Sequence, residues 1–348
     1  HTIRSAEAEP TVEPTGGAPP CDAGARIDLK PRQSTKAENT MSNGSDPNPY
    51  TERNARVSQP RGADDYTVVL VDEPAPHVRR ITMNRPEKRN ALNHALRGQL
   101  LHALQAGDMD ESVRVMIIRG AGSCFSAGYD LGGGNEGMDY PFFTAAGEGQ
   151  WPRHVTEGWM GIWDLAKPVI AQVHGYCLAG GSELATGCDL VYMAEDAQMG
   201  YPAVRFGVPD MQFHPWLVGM RRGMEMVLTG DPIDGIEAAQ RGWATRAWPL
   251  AELEQRVLEV AQRIAKIPPD IAQLNKRAVH RQMSVMGLRE GIRQGTELCS
   301  LAIHQKGFQD FVKNIGPGKG KLTAALQQRD EQFGDYRTSA TKPEAPGE

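Results

Sequence analysis

The sequence is poor in cysteine, has no long apolar run and carries no excess of positive charge, and each shortage removes a class of function. Five cysteines are scattered over 348 residues without a CxxC pair, so they build neither a disulfide framework nor a thiolate metal cluster. A reducing, cytoplasmic setting is therefore expected, and the start at His1 shows no basic segment followed by an apolar run. The longest informative uncharged stretch, residues 168–182, holds 15 residues that include Gln172, His174 and three glycines. It is too short and too polar to cross a bilayer, so no membrane partner is expected. Lys plus Arg number 38 against 43 Asp plus Glu, a formal charge of −5, which offers a polyanion no global attraction and makes nucleic acid an unexpected partner. No His, Asp or Glu spacing proposes a metal, and the dinucleotide and phosphate-loop patterns GxGxxG and GxxxxGK[ST] are absent from the glycine-bearing turns.

What is present divides the chain unevenly, as one large domain with appendages or two smaller ones. Residues 1–65 hold eight prolines and a single aromatic, Tyr50, a composition that cannot bury enough apolar surface to offset ordering. They read as a disordered extension in which Met41 is an alternative start, and residues 337–348 read as a second flexible tail. Between them, β-rich runs are expected at 66–71, 78–83, 113–118, 168–173 and 189–194, with a proline-marked turn over 72–76. Leu92, Leu96, Leu100 and Leu104 recur every four residues along one helix, and 155–165 reads as another. This alternation argues an α/β layer architecture. Beyond about residue 205 the pattern turns helical, with candidates at 216–228, 236–240, 253–264, 272–280, within 283–312 and at 322–333.

Two glycine-containing turns about fifty residues apart carry the chemistry. A strand ending in Ala127-Gly128-Tyr129 and another ending in Ala179-Gly180-Gly181 can each aim a backbone N–H at one point. Two such donors make an oxyanion hole, with a helix N-terminus adding attraction for developing negative charge. Taken alone, the pattern is ambiguous, because glycine-rich structural turns after strands are common.

The segments ITMNRPEKRNALN (81–93), FSAGYDL (125–131) and HGYCLAGGSELATGCDL (174–190) resemble the three signature blocks of the enoyl-CoA hydratase/isomerase, or crotonase, superfamily. MEMVLTG (224–230) with IEAAQRG (236–242) resembles the next family stretch, and residues 322–333 its closing helix. The likeness runs from about 66 to 336, in family order. It implies an α/β fold with a β-β-α spiral core over 66–265, a helical C-terminal region over 266–336, and assembly as a homotrimer or a dimer of trimers. It also implies an acyl-CoA thioester as substrate, no separate cofactor, and an enolate formed while the backbone N–H groups of Tyr129 and Gly180 hold the thioester oxygen. The resemblance implies an enoyl-CoA hydratase-like enzyme first; because the same scaffold supports double-bond isomerisation, decarboxylation and C–C or thioester hydrolysis, another of these reactions is the alternative, as is a CoA-binding protein with little catalysis.

Since only the N–H of Tyr129 is needed for that role, its ring reads as a pocket wall rather than an acid. Glu183 stands where hydratases of the family carry one of two catalytic glutamates, three residues beyond Gly180 on the same helix face. The other glutamate is missing: Ala203 occupies its place, and a methyl group transfers no proton. Asp210 and His214 follow in a segment about four residues shorter than the family's, and either could supply a displaced second acid/base, His214 with the more versatile pKa. Arg85, Lys88 and Arg89 form a basic cluster near the region that family members present to CoA, with Ala127 and Asp130 as further contacts; Asp130 also reads as a loop-orienting residue. Around Met138, Tyr140, Phe142, Phe143, Trp151 and Trp159, apolar side chains either line the acyl mouth or cover the core or a subunit interface. Removal of residues 1–40 is expected to leave both assembly and turnover unchanged, because that stretch lacks a periodic apolar face; size-exclusion chromatography and a thioester assay of the truncated protein check this.

Overall fold

The computed structural model describes residues 65–131, 150–208, 213–302, 304–315 and 321–333. The tails expected at either end, the mouth residues 138–143 and Asp210 lie outside the described residues. Strands β1 (Val69–Ala75), β2 (Val78–Met83), β3 (Val115–Gly120), β4 (Val169–Val173), β6 (Leu190–Ala194) and β9 (Arg246–Trp248) form one sheet in the order β1-β2-β3-β4-β6-β9. The β1-β2 pair is antiparallel and every other pair in that sheet is parallel. Every residue of β4 is buried, which suits a central parallel strand covered on both faces.

The proline run after β1 does not end it. The strand continues through Pro74 to Ala75 with an irregular register after Asp72, and the turn falls at Pro76-His77, where His77 takes φ 65°. β1 is an edge strand, and an edge tolerates a proline that would break a central ladder. A second, three-stranded sheet joins β5 (Tyr176–Leu178), β7 (Gln198–Gly200) and β8 (Ile233–Asp234). These elements hold three residues or fewer, below the length at which alternation can be recognised in sequence.

Helix α1 (His94–Met109) carries the leucine stripe and starts at Asn93, whose side chain accepts a hydrogen bond from Leu96 N at 2.9 Å. Its buried face also includes Arg97, Leu100, Leu101 and Leu104. Helices α2 (Gln150–Gly161) and α3 (Gly180–Thr186) follow. The single helix expected over 216–228 is two, α4 (His214–Val218) and α5 (Met220–Thr229), broken at Gly219 with φ 79°. After α6 (Gly235–Arg241), helix α7 (Leu250–Ile264) packs its Leu253, Val257 and Ala261 against the large sheet. Helices α8 (Pro269–Val285), α9 (Leu288–Ala302), α10 (Lys306–Ile315) and α11 (Lys321–Phe333) complete the chain, with α9 packed on α2. No helix among the described residues is long and apolar enough to cross a membrane.

One partly buried carboxylate ties the helical region to the sheet. Asp189 Oδ2 accepts from Val169 N at 2.7 Å and faces Lys276 Nζ at 2.8 Å, while Oδ1 lies 2.7 Å from His280 Nε2. Lys276 Nζ also donates to the carbonyls of Ile162 and Lys167, and the His280 ring stacks on Trp163. Removing one member of such a set leaves a buried charge uncompensated. Asp189→Ala is expected to lose about 3–5 kcal/mol of unfolding free energy, measured by urea denaturation, with Asp189→Asn losing less because it keeps an acceptor for Val169 N.

Candidate active site

The two glycine-bearing turns lie side by side. Ser126 N donates to Tyr176 O at 2.9 Å and Leu178 N to Ser126 O at 3.0 Å, a parallel bridge between Ser126 and Cys177. The same offset carried forward sets Tyr129 beside Gly180, and a Cβ added to Gly128 would lie 3.4 Å from Gly180 N. On the other flank, Leu92 N donates to Gly128 O and Asp130 N donates to Leu92 O. Those bonds engage the peptide groups on either side of Tyr129, so its own N–H points away from Leu92. Gly180 opens α3, where an N–H has no intrahelical acceptor.

The backbone at this junction is strained in a directed way. Gly128 takes φ 100°, and Ala179, a residue with a Cβ, takes φ 48° and ψ −121°, a conformation costing about 1–3 kcal/mol. Three bonds enforce it: Ala179 N to Gly200 O at 2.8 Å, Glu183 N to Ala179 O at 3.1 Å, and Ser182 Oγ to Ala179 O at 2.7 Å. Because Ser182 gives its hydroxyl hydrogen to Ala179 O, its 3.1 Å contact with His214 Nε2 is a bond donated by the imidazole. The His214 ring is fully buried, edge-on to Trp243 and near Tyr201. His214, one of the two residues that could supply a displaced second acid/base, thus also braces the turn through Ser182.

Glu183 is fully buried, one helical turn along α3 from Ala179. Its Oε2 accepts a hydrogen bond from the Tyr129 hydroxyl, and that phenol oxygen accepts one from Trp159 Nε1 at 3.1 Å. The Tyr129 ring is seated over Gly180, where a Cβ would come within 2.5 Å of Tyr129 Cζ. Burial raises the phenol well above its ordinary pKa, the Glu183 charge raises it further, and the Arg97 guanidinium opposes both. Tyr129 therefore stays a proton-bearing donor at neutral pH. The Arg97 guanidinium lies 5.9 Å from the Tyr129 ring centroid and 5.8 Å from that of Trp159. The ring expected to be only a pocket wall thus has a hydroxyl engaged with the carboxylate.

Ala203 sits in a short 3-10 helix, Pro202–Phe206, buried and three residues beyond the Gly200 that holds Ala179. Of the basic cluster, Arg85 turns inward, with Nη2 on Asp130 Oδ2 at 2.9 Å and Nη1 on the Ala91 carbonyl. It braces the loop with Asp130, so the loop-orienting role of Asp130 is the one its geometry favours. Ala127 gives its N–H to Arg89 O at 2.9 Å. Lys88 and Arg89 are the exposed cations of the group. Sequence reasoning did not single out Arg97; a charged residue beside Leu96 within the leucine-bearing helix face was the available signal. A separate cavity of about 590 Å³ beside α7 includes Arg80, Arg119 and Glu254. Its charges pair among themselves, Arg80 with Asp72 and Glu254, and Arg119 with Glu254.

Residues 74–318 match the family model described as enoyl-CoA hydratase/isomerase. A mitochondrial enoyl-CoA hydratase of Pongo abelii is 31% identical over 259 residues, 73% of this chain and 83% of the relative. A 2,3-dehydroadipyl-CoA hydratase of Escherichia coli is 33% identical over 245 residues, 68% of this chain and 92% of the relative. The crystal structure of an enoyl-CoA hydratase/isomerase from Xanthobacter autotrophicus superposes with a TM-score of 0.69 at 32% identity, covering 77% of this chain and 99% of that one. Gly180→Ala is expected to push the Tyr129 ring off its seat. Overpacking should cost about 1–3 kcal/mol and the misplaced site about 10²-fold in turnover, read from denaturation curves and a thioester assay on the same preparation.

Proposed function

The chain belongs to the enoyl-CoA hydratase/isomerase (crotonase) family, whose β-β-α spiral fold it carries, and we propose that its hydratase-like activity is the addition of water across the double bond of a 2-enoyl-CoA. The observation that carries this reading is Glu183, a buried carboxylate one helical turn from the Ala179-Gly180 junction and engaged with Tyr129. In this reading the thioester oxygen lies between the N–H groups of Tyr129 and Gly180. Charge moving onto that oxygen as water attacks Cβ meets fixed donors that need no reorganisation. Glu183 takes the proton from the attacking water, and the enolate is then protonated at Cα.

The chemistry is assigned to protein groups and the substrate arrives as its CoA thioester, without a separate cofactor. In this reading the exposed Lys88 and Arg89, beside the loop that Arg85 and Asp130 brace, meet the CoA phosphates, and their contribution should weaken with salt. Self-association as a trimer or dimer of trimers is supported by the apolar ridge of α5, where Met220, Met224 and Leu228 are each more than half exposed.

Ala203 favours a second reading, in which the same enolate is used for double-bond isomerisation or another reaction of the family. Product mass separates the readings, because hydration adds one water and isomerisation adds none. Glu183→Gln is expected to lower turnover about 10²- to 10⁴-fold while leaving thioester affinity nearly unchanged, since the amide keeps the shape and an acceptor for the Tyr129 hydroxyl. Single-turnover kinetics with a short trans-2-enoyl-CoA, beside a binding titration of the same thioester, separates the two effects. Retention of half the wild-type rate would remove Glu183 as principal acid/base.

A further inference from the structure

We propose that the Tyr129 hydroxyl is the second proton-transfer group of this site, the partner of Glu183 that delivers a proton to the substrate α-carbon in place of the carboxylate that Ala203 lacks. The inference rests on the hydration reading given above. Hydration needs one group to accept a proton from water and another, or the same one later, to give a proton to Cα. Ala203 offers no proton. The Tyr129 phenol does, and it is already hydrogen-bonded to the carboxylate that would collect the proton from water.

The placement of the ring carries the argument further. It is anchored on the residue whose main-chain N–H faces the thioester oxygen, and it lies over Gly180, the other amide of the pair. A carbonyl held between those two amides has its α-carbon one bond from the carbonyl carbon, and the ring that carries the hydroxyl covers one of those amides. The phenol oxygen also receives a donor, Trp159 Nε1 at 3.1 Å, and the Arg97 guanidinium lies beside both rings. A hydroxyl that only propped up Glu183 would need neither. A phenol oxygen that becomes transiently anionic is stabilised by both.

The step balances without any further reactant. A water O–H bond breaks as its oxygen bonds to Cβ, and that proton passes to Glu183. The π electrons move onto the thioester oxygen. The enolate then collapses to form the Cα–H bond with the phenol proton, and the phenolate recovers a proton from Glu183 along the existing hydrogen bond. An enolate carbon is far more basic than a phenolate, so a phenol with a raised pKa remains a competent donor.

Tyr129→Phe in the full chain keeps the backbone N–H, the ring and its seat on Gly180, and removes only the hydroxyl. Two readouts are taken on wild type and variant: hydration of a short trans-2-enoyl-CoA, and deuterium uptake at Cα of the matching saturated acyl-CoA in D2O, followed by mass spectrometry. The expected result is a fall in kcat of about a hundredfold or more, KM within about threefold, and loss of α-deuterium uptake to at least the same extent. A variant with kcat and uptake within about twofold of wild type overturns the proposal. So does a variant that loses hydration but keeps α-uptake, which would make Tyr129 a positioning residue for Glu183. Wild-type protein that exchanges α-hydrogen but does not hydrate would fault the hydration reading alone, and the effect of Tyr129→Phe on exchange would still decide the proposal. Wild-type protein that does neither overturns both. Should Tyr129→Phe fold poorly, 3,5-difluorotyrosine at position 129 preserves the shape and hydroxyl while acidifying the phenol. The alkaline limb of kcat should then move to lower pH, and an unmoved limb rejects the proposal.

Discussion

Everything at this site depends on a short parallel ladder between two segments far apart in sequence. The Ser126–Cys177 bridge fixes their register, and the positive φ values at Gly128 and Ala179 turn the next peptide planes out of the ladder. Without the bridge the amides of Tyr129 and Gly180 would not be brought side by side. Without the turned planes they would extend the ladder. The Ala179 conformation is unfavourable for a residue with a Cβ, and it persists because Gly200, Ser182 and Glu183 each hold one of its backbone groups. The cost of the strain is thus met by the second sheet and the first turn of α3, and His214 supports the arrangement one bond further out.

How much of this was legible in the sequence follows from the range of each interaction. The strands β2, β3, β4 and β6 and the helix bearing Leu96, Leu100 and Leu104 could be read because their buried faces repeat locally. The strands β5, β7 and β9 are too short to show a period, yet β5 and β7 form the frame around Ala179. The block at 81–93 was recognisable as a motif, but its physical work was not. Asn90 is buried and donates to the carbonyls of Ala121 and Cys124, and its Oδ1 accepts from Arg85 N. This block therefore anchors the loop leading to Tyr129, and Arg85, which looked like a phosphate contact, pairs with Asp130.

The chain Trp159 to Tyr129 to Glu183, with Arg97 alongside, was beyond sequence reasoning for a different reason. Its members come from α2, the turn after β3, α3 and α1, and no spacing along the chain relates them. Trp159 was visible only as one aromatic among several near the expected acyl mouth. The structure buries it completely and gives its indole N–H a specific acceptor. Proximity in space, supplied by tertiary packing, turned a wall residue into a hydrogen-bond donor.

The electrostatics of the pair make Ala203 and Tyr129 consistent with one another. Two carboxylates in one buried pocket oppose each other's ionisation and raise one pKa. A neutral phenol beside a single carboxylate removes that repulsion and supplies a donor that a buried charge requires. In the proposed reaction the main chain at position 129 would perform the same task whichever side chain it carries, so the side chain would be left to vary independently of the amide. Such a separation would let a scaffold keep its means of stabilising an enolate while the group that handles the proton changes in identity and in place of origin. In this chain, the hydroxyl that meets Glu183 springs from the same residue whose main chain lies beside Gly180.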